Sequence, residues 1–460
     1  MPDTDPGPAG SADRRLRRDV MRLAGPMTLA GTAGVLVPTV VLALVSRLGP
    51  DEMSVRALYT PLAFLFLAVQ MAFDLSNQAG AAFHRGQGTD RNVPAHAVSL
   101  LRVWVGIGVV IGALLAVAAP ALTDALQVEP EVRPQFEAFL RWMAAANLTL
   151  PGSVLAASCL RGTGRARAAA SITLTNAVVE IAGVAALGHG TGLGIMAVPV
   201  ATALAGLSGT LLGLAHLRRA GLWGRPLGWR PDALRRLLSV GLPVGVSYLV
   251  LFAMNLALLW VLSPFGRNIR DGFAVGVAVQ SLVIIPAIAL GSATAIIMNQ
   301  HRGAGRLPWL DGTLRAGLRV TFVVYAALVP AVWLGRDVIG RLMAGDTQVA
   351  EEGVRYLGVV APTYLVFGMV LVAVTAIEQV GGGLVALGLN TGYTVGIIGV
   401  GGLLARRLDD PGALYMTIAL LNLAGLAGVV VAIRFVRGLS RSQPSAPEPR
   451  ARLDLGKGGR

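Results

Sequence analysis

Two carboxylates have polar neighbours at helical spacing inside otherwise apolar sequence. Asp74 has Gln70, Asn77 and Gln78 at i−4, i+3 and i+4, which places four polar groups on one helical face. Glu180 follows Thr173 and Asn176 at i−7 and i−4 and forms a second such stripe. Holding a charge in mid-membrane costs about 2.5–3.5 kcal/mol on insertion scales, so an acid kept there needs a partner or a watery cavity. Such a group can bind a cation, or take up a proton and lose it when its surroundings change, because desolvation favours the neutral form and polar neighbours favour the charged one. It can equally act as a structural hydrogen-bond acceptor or pair with an arginine. Asp74 and Glu180 are thus the expected cation- or proton-coupling residues. Asn147, Asn255, Gln280, Tyr364 and Asn390 are polar within apolar runs. Together with Gln70, Asn77, Gln78 and Asn176 they are weaker candidates for a substrate cleft, since hydrogen bonds between helices account for each of them without a ligand.

The chain lacks the constellations of an enzyme. It has no Gly-x-Ser-x-Gly, no His-Glu-x-x-His and no glycine loop ending in Lys, because the single lysine is Lys457. Asp409-Asp410 is the only adjacent Asp pair. A single cysteine, Cys159, excludes an intrachain disulfide and any cysteine-clustered metal centre. His84 and His301 occupy matching turns and read as solvated histidines instead of ligands. No catalytic residue, metal or cofactor is expected. With no nucleotide loop, energy for any transport must come from an ion gradient or from a partner.

The surrounding sequence shows what must hold these residues. Of 460 residues, 54% are hydrophobic and 14% charged, against about 25% charged in soluble domains, so the solvent for most of the chain is lipid. Twelve apolar runs are long enough to cross about 30 Å of hydrocarbon. They lie near 23–46, 57–83, 97–122, 138–160, 168–188, 192–215, 237–264, 272–299, 315–335, 354–377, 383–404 and 413–433, and are numbered here as spans 1 to 12. Each must be a helix, since backbone facing lipid has to pair its own N–H and C=O groups. If both termini are cytoplasmic, 28 of the 39 basic residues fall on the inner side. The net charge of +14 then reflects topology, and the scattered arginines form no stripe for nucleic acid.

The two halves of the chain repeat at an offset of 217 residues. Pro26 pairs with Pro243, Ser46 with Ser263, Gly49 with Gly266, Arg102 with Arg319 and Gly164 with Gly381. His84-Arg85-Gly86-Gln87-Gly88 matches His301-Arg302-Gly303-Ala304-Gly305 in the same register. Six spans per half means that both halves enter from one face, so their pseudo-twofold axis runs along the membrane normal. The expected organisation is all-α. A disordered cytoplasmic tail (1–22) precedes an N-lobe (23–215), a basic cytoplasmic linker (216–236), a C-lobe (237–436) and a second disordered tail (437–460). Two like lobes with a cleft between them argue for transport by rocking.

With these residues in view, the chain resembles the multidrug and toxic compound extrusion family of secondary exporters over nearly its whole length. The resemblance is carried by Gly25-Pro26, Arg47-Leu48-Gly49, Arg85-Gly86-Gln87-Gly88, Leu160-Arg161-Gly162-Thr163-Gly164-Arg165 and Gly241-Leu242-Pro243. It implies a two-lobed fold of twelve helices and efflux of organic compounds driven by inward flow of H⁺ or Na⁺. Family members carry acids late in span 1, in span 7 or in span 10, where this chain has Val41-Leu42, Leu251 and Phe367. The second lobe's Arg-Gly-x-Gly turn reads Glu378-Gln379-Val380-Gly381. Asp74 and Glu180 are therefore the expected substitutes for the missing acids.

The expected function is ion-driven antiport of small cationic or amphipathic compounds by a monomer in the lipid bilayer. A flippase for lipid-linked precursors and a non-transporting scaffold are the alternatives. The ratio of 38 Arg to one Lys points to GC-biased coding and a bacterial plasma membrane.

Overall fold

The computed structural model describes residues 9–223 and 228–441. Among the described residues there is no strand, and eleven helical segments are long and apolar enough to cross a membrane. One of them, Thr347–Leu408, has 62 residues. At 1.5 Å per residue it would measure about 93 Å if straight, three times the hydrocarbon thickness. It folds back at Gly381, whose φ of +102° suits glycine, with Val380 before it also outside helical geometry. The segment therefore crosses twice, and the chain is an all-α membrane protein of twelve spans.

The helices pack to the same plan in both halves. Span 1 (within Ala9–Val45) lies along span 5 (Ala166–Gly190), as span 7 (within Pro231–Phe265) lies along the first part of span 11, Gly383–Gly396. Span 2 (Pro50–Gly86) lies along the second half of span 4, Leu150–Gly162, as span 8 (Arg267–Gly303) lies along Tyr364–Ile377 of span 10. The repeat reaches backbone conformation: Gly164 and Gly381, one offset apart, both have positive φ, +86° and +102°. The lobes meet where spans 1 and 2 pack on span 8 and span 2 packs on span 7.

Two expectations change at the ends of the chain. The first tail was expected to be disordered to residue 22, but the first helix already begins at Ala9. Leu16, Val20, Leu23 and Ala24 form an apolar stripe at helical spacing and are buried in the core of the second lobe. Asp13 binds Arg17 at 2.7 Å and Arg319 of the second lobe at 2.8 Å, so the extension is fastened there. Its arginines hid a stripe that four apolar positions define. The last helix continues to Arg441, beyond the expected start of the second tail. Residues 1–8, 442–460 and 224–227 of the expected tails and linker lie outside the described residues. The linker also contains a short helix, Pro231–Arg236, which runs through one π-helical turn into span 7.

The turns after spans 2 and 8 close on each other through main chain. A Cβ on Gly86 would run into the backbone carbonyl of Gln300, and one on Gly303 into that of Phe83. Gly106 in span 3, by contrast, has open space around it. Gly86→Ala and Gly303→Ala are therefore each expected to destabilise the purified protein by about 1–3 kcal/mol. Gly106→Ala should be neutral or slightly stabilising, and thermal unfolding in detergent ranks the three.

Candidate functional site

Polar side chains join the lobes at the end of the bundle that carries the two His-Arg-Gly turns. Asp74 on span 2 is paired with Arg161 on span 4, and both side chains are largely buried, 13% and 15% exposed. Arg161 Nε donates to Gln78 Oε1 at 2.7 Å. Gln78 Nε2 then crosses the interface to Ser292 Oγ at 3.0 Å and Gln379 Oε1 at 2.8 Å, and Gln379 Nε2 donates to the same serine. Gln300 Nε2 returns the link, donating to the Gly162 carbonyl at 2.9 Å. Of the two parts expected for Asp74, coupling a cation or proton and pairing with an arginine, this arrangement shows the pair with Arg161.

The repeat turns this pair into an asymmetry. One offset beyond Arg161 stands Glu378, and one offset beyond Asp74 stands Gly291. The second lobe therefore has an acid where the first has a base, and no ionic partner at the matching place on span 8. Glu378 is 7% exposed and its Oε1 has no hydrogen-bond partner. It lines a cavity of about 380 Å³ built from spans 7, 8, 10, 11 and 12 with Leu75 of span 2. Ser247 and Tyr248 of span 7, Thr375 of span 10, Asn390 and Tyr393 of span 11 and Asn422 of span 12 supply the other polar side chains. Leu251 and Phe367, where the family's acids would align, also line the cavity. The result is a largely apolar chamber with one buried carboxylate, the form in which small amphipathic molecules are held.

The other expected residues scatter. Glu180 accepts a hydrogen bond from Thr202 at 3.2 Å and interacts with Arg56, which stands 5.7 Å over the Tyr59 ring. Asn147 donates to Tyr59 Oη at 3.2 Å, so these groups form one cluster within the first lobe. Asn77 is fully buried and turns towards span 4, donating to Leu155 O and Ser158 Oγ at 2.9 and 2.7 Å. Asn176 packs between spans 4 and 6, against Ser153 and Gly209. Gln280 accepts from Tyr356 within the second lobe, and Tyr364 is fully buried there. Asn255 donates to the carbonyl of Leu251 in its own helix. Gln70 is half-buried one turn before Asp74. Of the expected cleft residues, only Asn390 lines the cavity, donating weakly to Ser247 at 3.4 Å. Glu378 was noted in the sequence only as a departure in a turn; the offset that pairs it with Arg161 was the signal that marks it.

Comparison with known proteins accords with this architecture. The MatE family profile matches residues 26–186 and 243–399, two stretches whose starts are 217 residues apart, the offset of the internal repeat. The chain is 26% identical over 314 residues to the probable multidrug resistance protein NorM of Deinococcus radiodurans, covering 66% of this chain and 68% of that protein. It is 22% identical over 336 residues to the probable multidrug resistance protein YoeA of Bacillus subtilis, with 70% and 72% covered. A mutant of the Vibrio cholerae MATE transporter VcmN superposes with a TM-score of 0.87 at 16% identity, over 94% of this chain and 99% of that one. A MOP superfamily transporter from Pyrococcus furiosus, described as having a binding pocket of reverse polarity, gives 0.84 at 18% identity, over 93% and 97%. The profile, the repeat and the fold agree on the same residues, and the chain belongs to the MatE family of multi-pass membrane transporters.

Proposed function

We propose that this chain exports small organic cations and amphipathic compounds in exchange for inflowing H⁺ or Na⁺, by alternating access between its two lobes. The observation that carries the reading is Glu378, a buried acid in a largely apolar cavity, with no ionic partner among the described residues. A lone charge there is costly, and three occupants relieve the cost: a proton, a sodium ion or a cationic cargo. Because they compete for one carboxylate, loading one expels another, and that mutual exclusion is antiport. Apolar walls supply non-directional contact for cargoes of varied shape, in keeping with the multidrug resistance names of the relatives.

Glu180 serves as a second acceptor in the first lobe, with Thr202 holding it in place. Asp74 has a different part from the one its sequence context implied. Paired with Arg161 and reaching Gln78, it belongs to the latch between the lobes, and opening at that end requires the Gln78 bonds to Ser292 and Gln379 to part. The protein acts as a monomer in the plasma membrane with both termini cytoplasmic, which puts the latch on the inner side.

Everted vesicles loaded with a fluorescent cation test the reading. Wild-type protein should exchange dye for H⁺ or Na⁺ under an imposed gradient, and Glu378→Gln should reduce exchange to the level of vesicles without transporter at unchanged protein level. Exchange by Glu378→Gln at the wild-type rate would refute the assignment. Scrambling of a lipid-linked precursor without dye exchange would establish a flippase, and neither activity a scaffold. Glu180→Gln should slow exchange several-fold, measured in the same vesicles.

The latch makes a separate prediction for stability. Asp74→Asn leaves the Arg161 guanidinium buried beside a neutral amide and should cost about 3–5 kcal/mol. The double variant Asp74→Asn with Arg161→Gln should recover most of that loss in thermal unfolding, because no unpaired charge remains.

A further inference from the structure

Away from the cavity and the latch, two histidines and an aspartate converge. His84 lies on the last turn of span 2 and His96 near the start of span 3, in the helix Val93–Ala125. Asp232 lies on the short helix that leads into span 7. Each offers one ligand atom, and the three atoms lie within 4.8 Å of one another. Neither ring is solvated as the sequence suggested for His84: the exposures are 5% for His84 and 0% for His96.

The spacing matches shared metal ligands better than hydrogen bonds. His84 Nε2 stands 3.2 Å and His96 Nδ1 3.6 Å from Asp232 Oδ2. A charged hydrogen bond would run at about 2.7–2.9 Å. Two atoms each about 2.1 Å from a tetrahedral zinc ion stand about 3.4 Å apart, and the observed pair brackets that value. His84 Nε2 and both nitrogens of His96 lack a hydrogen-bond partner, an unusual state for fully enclosed imidazoles. The other nitrogen of His84, Nδ1, faces Thr89 Oγ1 at 3.4 Å, the outer contact that commonly orients a metal-bound histidine. His96 lies against Gly80, where a Cβ would collide with Nε2, so the ring is seated with Nδ1 towards Asp232. Two cations stand near the cluster, Arg236, 4.2 Å over the Phe83 ring, and Arg230, bound to Asn92, and neither is within ion-pair distance of Asp232. The Asp232 side chain is 40% exposed, which leaves a fourth coordination position open to water.

We propose that His84, His96 and Asp232 form a binding site for a divalent transition metal of the zinc class, which fastens the entry of the second lobe to the first. Two ligands belong to spans 2 and 3 and the third to the chain on its way into span 7. Occupancy therefore ties the two halves together on the face that carries the latch. Imidazole and carboxylate donors suit zinc and its first-row neighbours, and two nitrogen ligands disfavour calcium, which takes six to eight oxygens.

The test is zinc chloride titration of the full-length protein, purified without a histidine tag and stripped with a chelator. One Zn²⁺ per chain with a raised melting temperature is expected, and Co²⁺ in its place should give the visible absorption of a four-coordinate site. Asp232→Asn and His96→Gln should each abolish the stoichiometric uptake. His216→Gln, whose ring bonds Ser171 elsewhere in the lobe, should retain it. Should His96→Gln fail to fold, the partly exposed Asp232→Asn still decides. Absence of uptake by the wild type, or equal uptake by Asp232→Asn, would overturn the site; a melting-temperature loss in Asp232→Asn without zinc binding by the wild type would mark a plain histidine–aspartate contact.

Discussion

The arrangement depends on how one guanidinium is kept in a place that excludes water. Arg161 ends span 4 among apolar helices, and its charge is tolerable because Asp74 answers it and Gln78 accepts from its Nε. That requirement orients Gln78 and turns its amide nitrogen outwards, across the interface to Ser292 and Gln379. A contact between lobes is thus the far end of a charge satisfied within one lobe. Disturbing the pair would reach the interface without touching it.

The second lobe inherits the same scaffold without the same solution. At the place of Arg161 it has Glu378, and at the place of Asp74 it has Gly291, so its acid faces the chamber unopposed. Duplicated folds offer two copies of every position, and here one copy is tied into the contact between the lobes while the other places an acid on the cavity wall. The departure from the family's usual acids is less severe than it looks. Leu251 and Phe367 surround the same chamber into which Glu378 brings a charge from the end of span 10.

Much of the fold was legible in the sequence because lipid leaves helices few alternatives. Apolar runs of about twenty residues gave the spans, and a constant offset gave the two lobes. What escaped was governed by contacts distant in sequence. The N-terminal helix from Ala9 looked like a charged tail, since its stripe of Leu16, Val20 and Leu23 has meaning only against the second lobe. Asp74 was recognised as buried and polar, but its arginine lies 87 residues away and no local pattern announces it. Polarity within a span also does not say which way a helix faces: Asn77 and Asn176 lie inside the first lobe, while Asn390 lines the chamber. Glu378 was visible throughout, yet its weight emerges only when the repeat register is applied to charge as well as to glycine.

The meeting of Gly86 with the Gln300 carbonyl, and of Gly303 with that of Phe83, is a join made of main chain. Such a seam is indifferent to the identity of the residues beside it, provided that the glycines persist. The two halves can therefore diverge in side chains, even to the reversal of a charge, and still shut against one another. Duplication followed by specialisation is served by a closure of this kind, one that stays the same while the side chains around it are free to change.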